Sequence, residues 1–560
     1  MNRGKRELDA VRRDRSEVEN DLIDAYAGGR LTRRDFVRRG TVLGMSFPLL
    51  SFLLSACGGD GAPTGTGAAD RRARPGGTIR TAVVAPAGAI DPLTVSDEGG
   101  LAVLGQAGEY LTWSNSELQL EPRLAESWEP NEDGSVWRFR VRRGVSFHDG
   151  TEMTARDVAA TFDRLVDPTV GSNALSALRG VLSKGATEAT DDATVEFRLD
   201  APNGNFPYLV SSDNYNAIIL PAGYDGDFER TFNGTGPWKL DRFEPKARVS
   251  FVKNPAYWDA ERRPNADRSE LAFFADEQPM VVALQGGQVD VVSHFSVANG
   301  QALLSDPNVN VLELRSSVHR QIHMRTDREP FDDKRVRQAF ALLLDRQALV
   351  DGLFDGKGDV GNDHPFAPVF PSADTSVEQR VRDVEEARQL LADAGKGDGF
   401  EVELSTWRGF EIPQLAQLVQ DAAREAGITV RLTITDAGTY YGDAVYGKSP
   451  WLDSVLGITD YGHRGVPNVF LGAPLRSDGT WNAAHFRNPE YDRLVDEYTA
   501  ALDVDAQRAA AGKIERLLLD ETPIVVPYFY SFLSATKGNV VGVRTTAMGH
   551  VDLVRAGLAA

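Results

Sequence analysis

Residues 124–151 read LAESWEPNEDGSVWRFRVRRGVSFHDGT, and this stretch decides the fold class. Its WRFRV run at 137–141 alternates apolar and basic residues, which predicts a strand with one apolar and one charged face. Gly144 then allows a turn, and the His-Asp-Gly sequence at 148–150 predicts a second one. Thr154 follows as a good N-cap for a helix. The stretch therefore predicts a strand that leads through turns into a helix.

The same two periodicities recur along the rest of the chain. Period-2 alternation and β-branched content predict strands at 78–84, 194–199, 249–253, 271–275, 311–315, 401–405 and 429–435. A spacing of 3.6 residues predicts helices at 278–284, 333–344, 381–394, 412–426, 491–501 and 506–519. Strands that alternate with helices, with no short repeat, indicate an α/β protein.

Several motifs occur in a fixed order after the opening stretch. They are GTGPWKL at 234–240, NPAYW at 254–258, PFDDKRVRQAF at 330–340, Asp345-Arg346, NPEYD at 488–492 and the segment 517–530. Together with 124–151, this ordered set resembles the signature of the family 5 solute-binding proteins. These are extracytoplasmic receptors for peptides, dipeptides and nickel chelates that serve ABC importers. The resemblance covers residue 75 to about 553.

The resemblance implies a two-lobe, periplasmic-binding-protein-like fold of type II, in the class that carries an extra subdomain. The first lobe would comprise residues 78–317 and 522–560, with a subdomain inserted at about 110–220. The second lobe would run from 318 to 521. Two crossovers would let the lobes close like a hinged trap on a ligand, and the closed form would dock on the permease and its ATPase complex. The resemblance implies a monomer that needs no cofactor and performs no chemistry on its ligand.

The N-terminal region predicts export and lipid anchoring. The chain has one cysteine, Cys57, so it has no partner for an internal disulfide; it is a buried hydrophobe, a reactive group or an attachment point. Arg33 and Arg34 look like a twin-arginine address, and LSAC at 54–57 looks like a bacterial lipobox. We expect residues 1–56 to be a twin-arginine lipoprotein signal and residues 57–77 a flexible, glycine-rich tether. The mature protein would be extracytoplasmic and lipid-anchored to the membrane.

Composition bounds the partners of the chain. Its 560 residues carry 81 acidic and 61 basic side chains, a formal net charge of −20. Such an acidic chain argues against nucleic acid as a partner. The length exceeds what one hydrophobic core usually organises, so two or three domains are expected.

The resemblance places a ligand-binding segment at 456–462, LGITDYG. Peptide-binding relatives have an aspartate here that pairs with the α-ammonium of the ligand, and Asp460 with Tyr461 matches it. An ammonium enclosed in a cleft must be paired, or its desolvation prevents binding. His463 and Arg464 depart from the family pattern. They would let the pocket take an anionic or amphoteric ligand, or Arg464 would neutralise Asp460.

Aromatic residues form the second candidate set. Tyr528 and Tyr530 lie on one face of a strand that we expect to return to the first lobe beside the cleft, while Phe529 faces the core. Trp481 is a loop aromatic that could also contact ligand. Each of these side chains has an alternative role as a packing residue.

The sequence leaves other ligands and functions open. His319 and His323 have the i, i+4 spacing of a helical metal pair, but their surroundings indicate a crossover strand, so no metal site is predicted. An opine, an oligosaccharide or a nickel chelate could replace a peptide on the same scaffold. An exported hydrolase is disfavoured because no G-x-S-x-G motif is present. A surface receptor without import is the remaining rival.

Overall fold

A computed structural model describes residues 73–226 and 228–560. The strands, in chain order, are β1 (Thr78–Val84), β2 (Thr112–Ser114), β3 (Leu120–Pro122), β4 (Ala125–Pro130), β5 (Val136–Val141), β6 (Thr187–Asp191), β7 (Thr194–Arg198), β8 (Trp238–Glu244), β9 (Arg248–Lys253), β10 (Arg268–Phe274), β11 (Val291–Val292), β12 (Val309–Leu314), β13 (His319–Met324), β14 (Gly358–Val360), β15 (Phe400–Trp407), β16 (Ile428–Thr435), β17 (Leu456–Tyr461), β18 (Ile524–Val525), β19 (Tyr528–Tyr530), β20 (Phe532–Lys537), β21 (Val540–Val541), β22 (Arg544–Thr545), β23 (Val551–Asp552) and β24 (Gly557–Leu558).

The helices are α1 (Glu98–Ala107), α2 (Ala155–Leu165), α3 (Leu175–Leu178), α4 (Phe206–Leu209), α5 (Phe228–Thr231), α6 (Glu277–Gln285), α7 (Val297–Leu304), α8 (Lys334–Leu342), α9 (Arg346–Phe354), α10 (Val384–Asp393), α11 (Ile412–Arg424), α12 (Ala437–Tyr441), α13 (Pro450–Asp453), α14 (Asn468–Gly472), α15 (Pro489–Ala500) and α16 (Val504–Glu521), with a 3₁₀ turn at Ala260–Arg262. None of the helices in this part of the chain is long and apolar enough to span a bilayer.

Two seven-stranded sheets organise the molecule. The first has the order β12-β20-β11-β1-β10-β9-β8. Its centre is parallel, because β1 pairs in parallel with both β10 and β11, whereas β8, β9, β12 and β20 are antiparallel to their neighbours. The first sheet is the framework of the first lobe.

The second sheet has the order β14-β19-β13-β17-β15-β16, and β18 also pairs with β13. Strand β15 runs parallel to β16 and β17, while β13 and β17 are antiparallel. Helices α8 and α11 bury apolar faces that pack in the same core as β13, β15 and β17. This sheet is the framework of the second lobe.

The chain crosses between the sheets at two places. The first crossover joins β12 to β13 through residues 315–318. The second lies at Ser531, between β19 and β20, and not at residue 522. The physical reason is that β18 and β19 pair with β13 and β14 of the second sheet before the chain returns.

A small antiparallel sheet of order β4-β5-β7-β6 lies within the predicted insertion. The opening stretch forms its core strand: Trp137, Phe139 and Val141 are buried in β5, whereas Arg138 and Arg140 are exposed. At the following helix, Asp157 Oδ2 accepts a hydrogen bond from the Thr154 N–H at 2.7 Å. Local patterning and capping thus place this subdomain as expected.

The N-terminal predictions fall mostly outside the described residues. Arg33, Arg34 and Cys57 lie there, together with the whole signal at 1–56, so these stay predictions. The predicted tether ends earlier than residue 77, since Ala73 bridges Ala559 and the Arg74 N–H donates to Leu558 O at 2.7 Å. The folded body therefore begins five residues before β1.

Candidate functional site

A cavity of about 300 Å³ lies between the two lobes. Its lining comes from the first lobe (Ser96, Asp97, Glu98, Leu101, Tyr215, His294, Phe532, Ala547 and Met548) and from the first crossover and second lobe (Val318, Arg320, Phe410, Asp460, Tyr461, Gly462, His463, Arg464 and Tyr530). This volume is at the lower end of the range usual for small-molecule pockets. The cavity contains carboxylates, guanidinium groups and aromatic rings, so it can contact an amphoteric solute.

Asp460 is the second-last residue of strand β17 and lines the cavity. The β13–β17 register places it directly opposite Arg320, so both side chains project from the same face of the sheet. The Tyr441 hydroxyl donates to Asp460 Oδ1 at 2.5 Å. Within residues 73–226 and 228–560, Asp460 has no ion pair, and no hydrogen bond reaches its Oδ2. The carboxylate is therefore oriented by one phenol and keeps an oxygen for a ligand.

Arg464 does not neutralise Asp460. Its Nη1 donates to the backbone oxygen of His463 at 2.8 Å. Burial lowers the pKa of the Arg464 guanidinium, while the nearby Tyr215 and Asp213 oppose this shift. Arg464 therefore turns toward the first lobe, which removes one of the two alternatives left by the sequence.

Arg320 is the principal cation of the cavity base, and only 1% of the residue is exposed. Its Nε lies 2.9 Å from Glu411 Oε1, and its Nη2 donates to Glu411 Oε2 at 3.0 Å. Burial disfavours the charged form, but Tyr530, Glu411 and the other neighbouring oxygens overcome it and raise the pKa of Arg320 above its ordinary value. Glu411 thus takes the ion-pair contacts of Arg320, whereas Asp460 attracts Arg320 only at longer range and has no ion pair of its own in the described residues.

The facing wall carries a histidine–carboxylate pair. His294 Nδ1 lies 2.9 Å from Glu98 Oε2, and the imidazole stacks on Phe532 with centroids 4.2 Å apart. Burial lowers the pKa of His294, but Glu98 more than offsets this, so the pKa lies above its usual value. Asp97 is the N-cap of α1 and accepts from the Gly100 N–H at 2.8 Å. This wall therefore combines acidic groups at the capped start of α1 with aromatic rings from β20 and from the loop after β11.

His463 and Tyr461 line the cavity, but most of their contacts are with other residues of the protein. His463 Nδ1 accepts a hydrogen bond from the Ser317 N–H at 3.1 Å, and burial lowers the pKa of the ring to about 3. The imidazole is therefore neutral, and this nitrogen binds the first crossover rather than a ligand. Tyr461 is 7% exposed and stacks on His319 and Phe470.

Of the three residues in the predicted aromatic set, one lines the cavity and two do not. Tyr530 lines the cavity, as expected. Tyr528 is fully buried and donates to Glu411 Oε1 at 2.9 Å, so the Arg320–Glu411 pair lies between its hydroxyl and the cavity. Trp481 lies outside the lining and packs near Trp451 at 6.1 Å between centroids. Tyr528 and Trp481 are therefore packing residues in this conformation.

Sequence reasoning missed Arg320, Phe410, Tyr441 and the Glu98–His294 pair. Arg320 appeared only as part of the crossover strand, and the signal that would have found it is its register opposite Asp460. His319 and His323 lie on β13, where they contact the backbone oxygens of Ser317 and Ser454. Across the described ranges, no three His, Cys, Asp or Glu side chains cluster in a way that could hold a metal ion.

Two lobes built on separate sheets, two crossovers between them and a polar cavity at their junction define a hinged solute-binding protein. The family model of the "Bacterial extracellular solute-binding proteins, family 5 Middle" matches residues 119–459. The chain belongs to this family.

Known relatives extend over most of the chain. Heme-binding protein A of Haemophilus influenzae is 27% identical over 443 residues, 74% of this chain and 79% of that protein. Di/tripeptide-binding protein 2 of Pseudomonas aeruginosa is 26% identical over 467 residues, 78% of this chain and 86% of that protein. The periplasmic binding protein DppA from Helicobacter pylori, solved with the peptide STSA, matches with a TM-score of 0.70 and 20% identity, covering 87% and 99% of the two chains. The predicted family and two-lobe fold are confirmed.

Proposed function

We propose that this protein captures a short peptide or similar ammonium-bearing solute in the interlobe cavity and delivers it to the permease of an ABC importer. The observation that carries the proposal is the oriented, unpaired carboxylate of Asp460. A ligand ammonium there would form a charge-assisted hydrogen bond in a partly desolvated site. The name of the Pseudomonas relative, a di/tripeptide-binding protein, supports the same ligand class.

The size and charge of the cavity favour a small amphoteric ligand. A volume of about 300 Å³ accommodates a solute of dipeptide to tripeptide size. Asp460 would receive the ammonium, while Arg464 and the Glu98–His294 pair would contact polar groups further along the ligand. Tyr461, His463 and Tyr530 would complete the walls around it. The lobes would close by hinge rotation at the crossovers, and the solute would leave chemically unchanged.

Location and attachment are part of the proposal. The protein would leave the cell through the twin-arginine route and be held at the membrane by lipid on Cys57. It would act as a monomer that docks on permease subunits, with a first lobe of about residues 78–317 and 532–560 and a second lobe of about 318–530. Anchoring keeps a receptor near its permease without a spanning helix.

The test is Asp460→Asn, measured by calorimetric titration. Native mass spectrometry of wild-type protein in an equimolar mixture of dipeptides and tripeptides first selects a bound peptide. We expect the substitution to weaken that peptide by about 3 kcal/mol, the lower end for a broken buried pair, since Asp460 is half-buried. N-acetylation of the same peptide should cause a similar loss in wild type and little further loss in the variant.

Asp398→Asn is the matched control, because Asp398 is an exposed aspartate outside the cavity lining. It should bind like wild type. Equal affinity of Asp460→Asn and wild type for the free peptide would remove Asp460 from the site. Failure of every peptide to bind would refute the proposed ligand class.

A further inference from the structure

Phe410 is the most exposed aromatic side chain in the described residues, at 65%. It lies in the loop between β15 and α11 and lines the interlobe cavity. Its backbone has φ of +51°, a left-handed conformation that is unfavourable for a bulky residue. An exposed ring held in such a conformation toward a cavity calls for a functional explanation.

The ring is the outermost member of a stack built from the second lobe. Phe354 stacks on Tyr530 with centroids 5.1 Å apart and planes at 5°. The Arg320 guanidinium carbon lies over both the Tyr530 and the Phe410 rings, 4.9 Å from each centroid. Trp407 contacts Phe410 edge-on at 5.6 Å. One face of Phe410 therefore covers the buried arginine, and its exposed surface is left to solvent in the cavity.

We propose that the exposed face of Phe410 is a specificity surface that stacks an aromatic side chain of the ligand. The inference rests on the proposed function, since it assumes that the ligand ammonium lies at Asp460. It adds a substrate class, namely short peptides with an aromatic residue near the N-terminus.

The register of the second sheet fixes where that residue must be. Arg320 and Asp460 are direct cross-strand partners, so their Cβ atoms are about 5 Å apart. Phe410 packs against the tip of Arg320. An aromatic group on the first or second residue of a peptide can reach Phe410 while the ammonium contacts Asp460.

Arg320 also determines which side chains the surface prefers. A cation over one face of an aromatic ring is attracted by the negative electrostatic potential of the π system. The same ring then attracts a second cation poorly but still stacks with a neutral aromatic group. We therefore expect phenylalanine to be preferred over leucine and arginine to be the least favourable. Across the cavity, the His294–Phe532 stack offers a second planar surface.

The experiment compares dipeptide affinities by calorimetric titration of the full-length protein. The probes are phenylalanyl-alanine and alanyl-phenylalanine, their leucine counterparts, and arginyl-alanine. Wild type should favour the better phenylalanine peptide over its leucine counterpart by roughly 3- to 10-fold, the usual range for an aromatic pair. Phe410→Leu should lose this preference, so that the phenylalanine and leucine peptides bind it with nearly equal affinity.

Two further variants keep the test decisive. Phe410→Tyr retains a ring and should retain the preference, even if Phe410→Leu folds poorly. Tyr446→Leu removes another exposed aromatic that lies outside the cavity lining, and it should also retain the preference. Peptide binding without an aromatic preference, or a preference that survives in Phe410→Leu, would overturn the inference and leave the proposed function intact. Absence of all peptide binding would overturn both.

Discussion

Gly465 is the position where one added carbon should oppose closure of the lobes. It follows β17 in the second lobe, and the side chain of Asp213 from the insertion in the first lobe packs directly against it. A Cβ at residue 465 would lie 1.7 Å from Asp213 Oδ2 and 2.3 Å from its Cγ, whereas ordinary contact begins at 3.4 Å. In Gly465→Ala, the buried Asp213 carboxylate must turn away or the two segments must separate, by more than about 1 Å at these two atoms.

The cost should fall on the state in which the lobes touch. Overpacking a well-packed contact typically costs about 1–3 kcal/mol. If the open conformation relieves the clash, this cost appears entirely as a loss of ligand affinity, about 5- to 150-fold. Unfolding stability without ligand should change much less, because opening of the lobes removes the strain.

The assay combines ligand titration with small-angle scattering. Gly465→Ala should weaken the peptide selected for the Asp460 test and give a larger radius of gyration at a given ligand concentration. Gly472→Ala is the matched control in the same lobe, because nothing lies within 4 Å of its added Cβ. The double variant Asp213→Ala/Gly465→Ala should recover affinity. Unchanged affinity and scattering in Gly465→Ala would refute the closing role of this contact.

Two other predictions concern charge and anchoring. Burial raises the pKa of Asp213 to about 7 from an ordinary 3.8. The folded protein therefore binds a proton on the Asp213 carboxyl more tightly than the unfolded chain does. The free energy of unfolding should fall as the pH rises from about 4 to 7. In urea titrations at several pH values, Asp213→Asn should remove up to about 4 kcal/mol of that fall. Asp213→Ala/Gly465→Ala should lose the same pH dependence, and an unaltered profile in both variants would contradict the assignment. Cys57→Ala should bind peptide normally but leave the membrane fraction, whereas continued membrane retention would exclude the predicted lipid anchor.

Local patterning predicted the elements well where one face of a strand is solvated. The WRFRV run became β5 with the expected faces, and the strand predicted at 194–199 is β7. The helix predicted at 412–426 begins at Ile412 as expected and ends at Arg424. In these elements, period and capping are properties of neighbouring residues, so a single sequence contains the required information.

The second crossover shows what local patterning could not provide. Strands β18 and β19 are short, and nothing in their residues specifies whether they pair with the first or the second sheet. Their partners are in β13 and β14, at least 160 residues earlier in the sequence. The resemblance implied a return at 522, directly after the end of helix α16, but the end of a helix does not determine the sheet joined by the following strand.

The charge pairs of the site also depend on contacts between distant segments, which local sequence patterns do not specify. From the sequence, Arg464 was one possible partner for Asp460, because only three residues separate them. In the fold, Gly462 and the turn after β17 carry Arg464 toward Asp213, while Arg320, 140 residues away, comes to lie opposite Asp460. Arg320 is in turn balanced by Glu411 from a third segment. The unpaired charge of Asp460 is thus a property of three distant segments together, and the same assembly holds Phe410 over Arg320. Under the proposed function, one connected group would recognise both the charge and the shape of the ligand, so a change at Glu411 should alter both preferences at once.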